Sequence, residues 1–158
     1  MITENVSEFQ AASPAGALLG LDLGTKTIGV AVSDVLRAVG SPHQTVKRKK
    51  FTIDAAALKA IVEERSVSGI ILGLPRNMDG SEGPRAQSTR AFARNLHPIV
   101  QRPICFWDER LSTVAAERAL LDADASRRKR ADVIDNIAAA YILQGFLDRL
   151  AHLDRSHE

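Results

Sequence analysis

The first third of the chain carries two short apolar runs, Leu18 to Leu23 and residues 28–32, which flank the break at Gly24–Thr27. A third strand is expected near 40–46, before a basic stretch. Apolar, partly β-branched runs of this length joined by a glycine-containing turn are typical of a hairpin. The pattern therefore predicts three consecutive strands.

The hydrophobic period changes after residue 52, where Leu58, Ile61 and Val62 recur at the three- and four-residue spacing of a helix. The elements predicted from here on are a helix over 53–65, a strand over 67–72, a helix over 85–97 that ends before Pro98, a strand over 103–107, a helix from Ser112 or Thr113 to Leu121, a charged mobile loop over 122–130 and a helix over 131–150. Strands followed by alternating helices and strands predict a mixed α/β sheet with helices packed on it.

The length of 158 residues predicts one domain, over 17–150. Residues 1–16 are polar and without period, which predicts a flexible tail, and 151–158 are expected to form a second tail. No apolar run approaches the roughly 18 to 20 residues of a membrane span. The first ten residues contain two glutamates and neither Lys nor Arg, unlike a secretory signal, so we expect a cytoplasmic protein.

Composition places the chain among ordinary globular proteins, with 45% hydrophobic and 25% charged residues, and argues against a disordered or fibrous class. The net charge of +2 is too small to indicate a nucleic-acid partner. However, eight of the 21 basic residues lie in two runs, 47–50 and 127–130. Such runs either bind a phosphate backbone or form solvated loops, and the sequence leaves both open.

Acidic residues occur where strands are predicted to run or end. Asp22 lies within an apolar strand, where an ionised carboxylate is costly unless it is paired, coordinated or turned to solvent. Asp108 and Glu109 follow the strand over 103–107, at the sheet edge where α/β proteins bind ligands. The alternative for Glu109 is an acid that favours a helix dipole. Trp107 is expected to be a core residue rather than a stacking platform.

Two further acids, Asp132 and Asp135, lie three residues apart and share one face of the last predicted helix. Asp135 borders the apolar face, whereas Asp132 is expected to be more exposed and to cap the helix. The four histidines have no metal-ligand spacing and Cys105 is the only cysteine, so oxygen ligands favour Mg²⁺ or Mn²⁺ over Zn²⁺. Carboxylates around such ions can activate water against a phosphodiester.

Four ordered segments resemble the YqgF family, also called RuvX, of the ribonuclease H-like superfamily. They are GLDLGTKTIGVAVSD (20–34), GLPRNMDGSEGPRA (73–86), WDERLSTVAAE (107–117) and DVIDNIAAAYIL (132–143). The resemblance implies a ribonuclease H-like mixed five-stranded sheet with helices on both faces. It also implies catalytic and metal-binding roles for Asp22, Glu109 and Asp135, with Asp108 and Asp132 as further candidate ligands.

RuvC-type enzymes place an acid at the end of the strand before the second helix, whereas this chain has Leu72-Gly73-Leu74-Pro75 there. The site must therefore be completed from Asp-Glu-Arg. Arg110 can contact phosphate or pair with Asp108, and the loop over 73–85 can bind phosphate or merely connect two elements through its own Asx turns. The candidate nucleic-acid-binding residues are Lys26, Arg76, Asn77, Ser81, Arg85, Arg110, Arg127, Arg128, Lys129 and Arg130.

The resemblance implies a metal-dependent nuclease that matures the 5′ end of pre-16S ribosomal RNA, with RNA favoured over DNA and a pre-ribosomal particle as the expected context. Alternatives are a Holliday junction resolvase and a non-catalytic assembly factor, and the chain is expected to be a monomer or homodimer. Asp-Leu-Gly-Thr also begins the phosphate loop of actin-like ATPases and sugar kinases. Those proteins need two such domains, which 158 residues do not provide.

Overall fold

A computed structural model describes the backbone of residues 1–111 and 127–156 and the side chains of 1–111 and 136–154. The elements in these ranges are β1 (Ile2–Thr3), α1 (Val6–Ala12), β2 (Ala17–Leu23), β3 (Thr27–Ser33), β4 (Gly40–Lys47), α2 (Phe51–Glu64), β5 (Val67–Leu74), α3 (Pro84–Val100), β6 (Ile104–Asp108), a 3₁₀ turn (Glu109–Leu111) and α4 (Arg127–Ser156). Within the same ranges, no helix combines the length and apolar character of a membrane span.

The strands form one mixed sheet in the order β1-β6-β5-β2-β3-β4. β2, β3 and β4 form the predicted antiparallel meander, and β1, β6, β5 and β2 are mutually parallel. The sheet has six strands rather than the expected five, because Ile2–Thr3 pairs with Ile104–Cys105 at the edge. The mixed α/β class is confirmed.

Helices cover both faces of the sheet, as predicted, and each face has its own core. Leu19 and Leu21 of β2 belong to the cluster packed against α2 and α3. Leu18 belongs to the cluster packed against α1 and α4, because successive strand residues point to opposite faces. The central strands β2 and β5 are consequently buried on both sides.

Residues 1–16, expected to be a flexible tail, contain β1 and α1 instead. Phe9 of α1 is fully buried and lies edge-to-face on Phe146 of α4, with ring centroids 5.4 Å apart. Asn5 caps the helix by accepting a hydrogen bond from the Glu8 backbone. The sequence shows no period here because the seven-residue helix buries only Phe9.

Two helix boundaries also differ from prediction. α3 continues through Pro98 to Val100, because its last turn buries both Leu96 and Val100 on the sheet while proline removes only one backbone donor. α4 begins at Arg127 and ends at Ser156, so 127–130 and 151–156 are helical rather than loop and tail. Arg, Lys and Ala are good helix formers without an apolar period. The predicted helix to Leu121 and loop residues 122–126 lie outside the described residues.

Cys105 offers a simple probe of folding, because it is fully buried in β6. Burial raises the pKa of its thiol to about 12, so the reactive thiolate is scarce at neutral pH. We expect a chromogenic disulfide reagent at pH 8 to leave the native protein unmodified and to react fully once denaturant unfolds it. Reaction of the native protein at the rate of a free thiol would contradict this packing.

Candidate active site

Asp22 is a buried carboxylate near the carboxyl end of the central strand β2, with 2% of its surface exposed. It is paired in register with Gly29 of β3. By strand alternation it shares a face with Gly20, where an added Cβ would lie 3.0 Å from the Ala139 carbonyl oxygen. Asp22 therefore lies on the α4 side of the sheet.

Glu109 follows β6 directly, in the 3₁₀ turn. Its Oε1 atom lies 2.9 Å from the position that a Cβ would take at Gly73 of β5, and Ile142 of α4 lies 2.6 Å from the same point. The β2–β5 register pairs Leu21 with Leu72, so Gly73 lies next to the level of Asp22. The structure thus brings Asp22 and Glu109 to one edge and one face of the sheet, across Gly73.

The backbone of α4 carries Asp135 to the same edge. Ala139 lies over Gly20 of β2, while Phe146, seven residues later, packs on Phe9, which in turn lies against Gly69 at the start of β5. The helix therefore runs antiparallel to β2, and residue 135 lies one turn closer to the Asp22 end. The side chains of Asp132 and Asp135 lie outside the described residues.

The fit of α4 to the sheet depends on two glycines. Added Cβ atoms at Gly20 and Gly40 would lie 2.7 Å and 3.0 Å from side-chain atoms of Leu143. The distance at Gly20 is too short for carbon atoms in contact, whereas a Cβ at Gly40 would require the Leu143 side chain to shift by a few tenths of an ångström. Leu143 is thereby lodged against β2 and β4 together.

Asp108 and Arg110 bind each other. Arg110 donates to Asp108 from Nη2 at 2.7 Å and from its backbone N–H at 2.9 Å. These hydrogen bonds are the main reason that the pKa of Asp108 is lowered. The pairing of Arg110 with Asp108, one of its two predicted roles, is therefore present in the structure.

Arg76 lies in an ion-pair cluster that the sequence analysis missed. It pairs with Glu4 and, at 3.6 Å, with Glu82, and Arg90 binds Glu82 at 2.6 Å and Glu4 at 2.8 Å. The hydrogen bond from Arg90 is the main cause of the lowered pKa of Glu82. Protein carboxylates thus already balance the charge of Arg76. The cluster was not predicted because Glu4 lies in the segment that was expected to be a flexible tail.

Asn77 and Ser81 shape the loop between β5 and α3. The Asn77 backbone N–H donates to the Ser81 carbonyl oxygen at 2.9 Å, and the Ser81 hydroxyl donates to Asp79 at 2.6 Å. Gly80 has a φ of +90°, which favours glycine. The loop is therefore held by its own turns.

Lys26 and Arg85 lie at the turn after β2, and both are exposed. Arg85 Nη2 donates to the Leu23 carbonyl oxygen at 3.3 Å. Arg48, which was not among the candidate residues, donates from Nη1 to the Gly24 carbonyl oxygen at 2.6 Å. In the sequence, Arg48 was indicated only by the basic run over 47–50, which begins at the last residue of β4. The 127–130 run forms the start of the α4 backbone, and its side chains are not described.

The donor set at this edge suits a hard divalent cation. Asp22 and Glu109 offer carboxylate oxygens, and the missing side chain at Gly73 leaves room for the Glu109 carboxylate. The described side chains alone do not group three candidate ligands at one place. Asp22 and Glu109 are therefore oxygen donors of the kind that Mg²⁺ or Mn²⁺ prefers, and the α4 backbone approaches the same edge at residue 135.

Replacement of Gly73 by alanine tests the placement of Glu109. The new Cβ would meet both Ile142 and the Glu109 carboxylate at under 3 Å, so we expect a loss of about 1–3 kcal/mol in unfolding free energy, typical of overpacking. Urea titration measures it. The matched control is Gly83→Ala, whose Cβ would have 3.7 Å of clearance and which should cost less than about 1 kcal/mol. Equal losses would mean that Gly73 is not sterically required.

Comparisons with known proteins show the family to which the chain belongs. Residues 16–149 match the family model described as "RuvX: Holliday junction resolvase". Proteins named "Putative pre-16S rRNA nuclease" are similar over nearly their whole length: one from Cereibacter sphaeroides (strain ATCC 17025) is 68% identical, covering 98% of each chain, and one from Rhodobacter capsulatus is 64% identical, covering 99% of each.

Among solved structures, Thermus thermophilus RuvC in complex with a Holliday junction substrate matches with a TM-score of 0.56 and 12% identity, over 86% of this chain and 96% of the other. A second structure of Thermus thermophilus RuvC matches with a TM-score of 0.54 and 14% identity, over 85% and 96%. At this identity the likeness shows a common fold. The predicted ribonuclease H-like class is thereby confirmed.

Proposed function

We propose that this chain, which belongs to the RuvX family of nucleases, hydrolyses phosphodiester bonds in the precursor of 16S ribosomal RNA. The observation that carries the proposal is the placement of buried Asp22 and of Glu109, which lies beside Gly73, on one face at the carboxyl edge of the sheet. The names of the 64–68% identical relatives favour pre-16S rRNA as the substrate. We place this activity in the cytoplasm, in a single domain that comprises 17–150 together with α1, whose Phe9 packs on α4.

Asp22, Glu109 and Asp135 are the proposed ligands of Mg²⁺ or Mn²⁺ and the catalytic residues. Such an ion, when bound, makes water a better nucleophile and stabilises the charge of the leaving oxygen. β2 holds Asp22 in the sheet, and the absence of a side chain at Gly73 leaves room for the Glu109 carboxylate. Asp108, bound to Arg110, is proposed to shape the turn rather than to bind metal, and Asp132 takes second place to Asp135.

The proposed substrate is structured RNA, favoured over DNA, within a pre-ribosomal particle. Lys26 and Arg85 beside the Asp22 strand, and the basic run over 127–130 at the start of α4, would supply contacts to its phosphates. Arg76 and Arg110 are engaged by protein carboxylates, and we propose that they order the surroundings of the site.

The second candidate is a Holliday junction resolvase, which the description of the family model favours. A four-way junction presents two equivalent strands, so that activity calls for a symmetric dimer. The discriminating experiment offers the purified full chain, with Mg²⁺ or Mn²⁺, an RNA with the unprocessed 5′ end of 16S rRNA or a synthetic four-way DNA junction. Light scattering gives the oligomeric state.

We expect cleavage of the RNA near the mature 5′ end and little cleavage of the junction. Cleavage of the junction alone, by a dimer, would replace the proposal with the resolvase. Binding of the RNA without cleavage of either substrate would instead indicate the non-catalytic assembly factor.

Metal binding should also be visible as stability. Three clustered carboxylates repel one another when no cation is bound. A ligand present at 100 times its Kd stabilises the native state by about 2.7 kcal/mol. We therefore expect millimolar Mn²⁺ to raise the Tm above its value in chelator, and Asp22→Asn to lose most of the increase. Calorimetry measures both. Equal Tm values in metal and in chelator would remove the main support for the metal site.

A further inference from the structure

A small cavity of about 160 Å³ opens beside the turn after β2, which we call the turn notch. Gly24 and Thr25 of the turn, Arg48 after β4, and Arg85 and Ser88 of α3 line it. Because α3 packs on the sheet face opposite α4, the notch lies on the other side of the β2 end from Asp22. It is thus separate from the carboxylate site, yet only two residues along the chain from it.

The notch is strongly cationic. Arg48 and Arg85 enter it from different elements, and the lining contains no acidic residue. Arg48 donates to the Gly24 carbonyl oxygen and Arg85 to the Leu23 carbonyl oxygen, although each guanidinium carries five N–H donors. Within residues 1–111, neither forms an ion pair with a carboxylate, in contrast to Arg76, Arg90 and Arg110. The two arginines therefore present donors that no acid balances there.

Neutral groups around the notch also favour an anion. The α3 helix starts there with Gly83 as its cap, without a side-chain cap and without an acid in its first turn. Its first backbone N–H groups have no intrahelical acceptor, and its positive end adds to the field of the arginines. The hydroxyls of Thr25 and Ser88 add further donors at the wall.

We propose that the turn notch binds one phosphate group of the nucleic-acid strand that the carboxylate site cleaves. The inference rests on the proposed function and deepens it. The volume of the notch is well below the roughly 300–1,000 Å³ of sites for whole drug-sized molecules, and so suits a single phosphate. Asp22 and Gly24 are about 7 Å apart along the polypeptide chain. A single nucleic-acid strand that crosses this edge of the sheet therefore contacts both. The notch then sets which phosphodiester reaches Asp22.

The first test measures binding in chelator, so that it requires neither metal nor cleavage. Fluorescence anisotropy follows a labelled RNA containing the unprocessed 5′ end of 16S rRNA, titrated with the full chain at several salt concentrations. We expect the Arg48→Gln/Arg85→Gln double variant to weaken binding about tenfold. The slope of log K against log salt should fall by about 0.7–0.9 for the lost contact. The control is Arg94→Gln, exposed on the same helix about 14 Å away along its axis.

A second pair of variants leaves both arginines in place. Ser88→Glu puts a negative charge in the notch, whereas Gln87→Glu puts the same charge on the next residue of the same turn, outside the notch lining. Both positions are exposed, and glutamate suits the start of a helix, so both variants should fold. We expect about tenfold weaker RNA binding for Ser88→Glu and less than threefold for Gln87→Glu. Equal losses of RNA affinity in the two variants, or no loss of affinity in the double Gln variant, would overturn the proposal that the notch binds phosphate.

A competition arm identifies the source of the phosphate. Inorganic phosphate should displace the RNA no better than chloride at equal ionic strength, because the polymer supplies further contacts. Displacement by micromolar inorganic phosphate or ATP would overturn the assignment to a nucleic-acid strand. All of these experiments measure binding in chelator and need no cleavage. Failure of the cleavage assay would therefore contradict the proposed function alone, and unaltered RNA binding in the variants would contradict the notch proposal alone.

Discussion

Asp22→Asn should reduce cleavage by at least about a hundredfold, the order of loss when one charge-stabilising group is removed from an active site. The carboxylate is buried in the central strand, and asparagine keeps its shape while removing its charge. RNA binding should be unchanged or tighter, because the change removes a negative charge near a polyanion. Single-turnover cleavage and anisotropy on the same RNA separate these effects.

The control for this variant is Asp54→Asn. Asp54 is equally buried, with 2% of its surface exposed, and it accepts a hydrogen bond from the Lys49 backbone, a role that asparagine can keep. Its cleavage rate should stay within about twofold of the wild type. Retained cleavage in Asp22→Asn, with the fold intact, would remove Asp22 from the mechanism.

Phe9→Ala should cost about 3–5 kcal/mol of unfolding free energy, the usual loss for a fully buried phenylalanine. Phe9 fills the space over Gly69 and contacts the Phe146 ring, so its removal leaves a cavity between α1, β5 and α4. This is a large part of the 5–15 kcal/mol by which such domains are stable. Urea titration, with Cys105 modification as an independent probe, measures the loss.

Ser7→Ala is the matched control, because Ser7 is exposed on the same helix and should change stability by less than about 0.5 kcal/mol. If Phe9→Ala were as mild as Ser7→Ala, α1 would be only loosely attached and residues 1–16 would act as the tail that the sequence predicts.

The strands were predictable because each obeys a local rule. β2 and β3 are apolar runs around a glycine turn, and β5 is buried on both faces and reads as an almost continuous apolar run. Asp22 and Glu109 were predicted for the same reason, because an ionised carboxylate inside or directly after such a run is costly unless it is paired, coordinated or turned to solvent. Their placement at one edge and on one face of the sheet depends on the register of three strands, which no local pattern encodes.

The errors arose where stability comes from distant partners. Residues 1–16 fold because Phe9 contacts α4, more than 130 positions away in sequence. The partners of Arg76 include Glu4 and Asp108, which three different segments bring together. Residues 127–130 were read as loop because a polar helix end has no apolar period, although its residues favour helix.

Leu143 packs against Gly20 and Gly40, and this contact fixes the rotation of α4 about its axis. The number of residues between Leu143 and residue 135 therefore determines where residue 135 lies around the helix. Each residue turns an α-helix by about 100° and advances it by 1.5 Å. One residue inserted between 135 and 139 would leave the lodged half in place and rotate everything before it by about 100°, whereas a four-residue insertion would nearly restore the phase. Between residue 135 and Leu143, substitution of exposed side chains should therefore disturb the placement of residue 135 much less than insertion of a single residue.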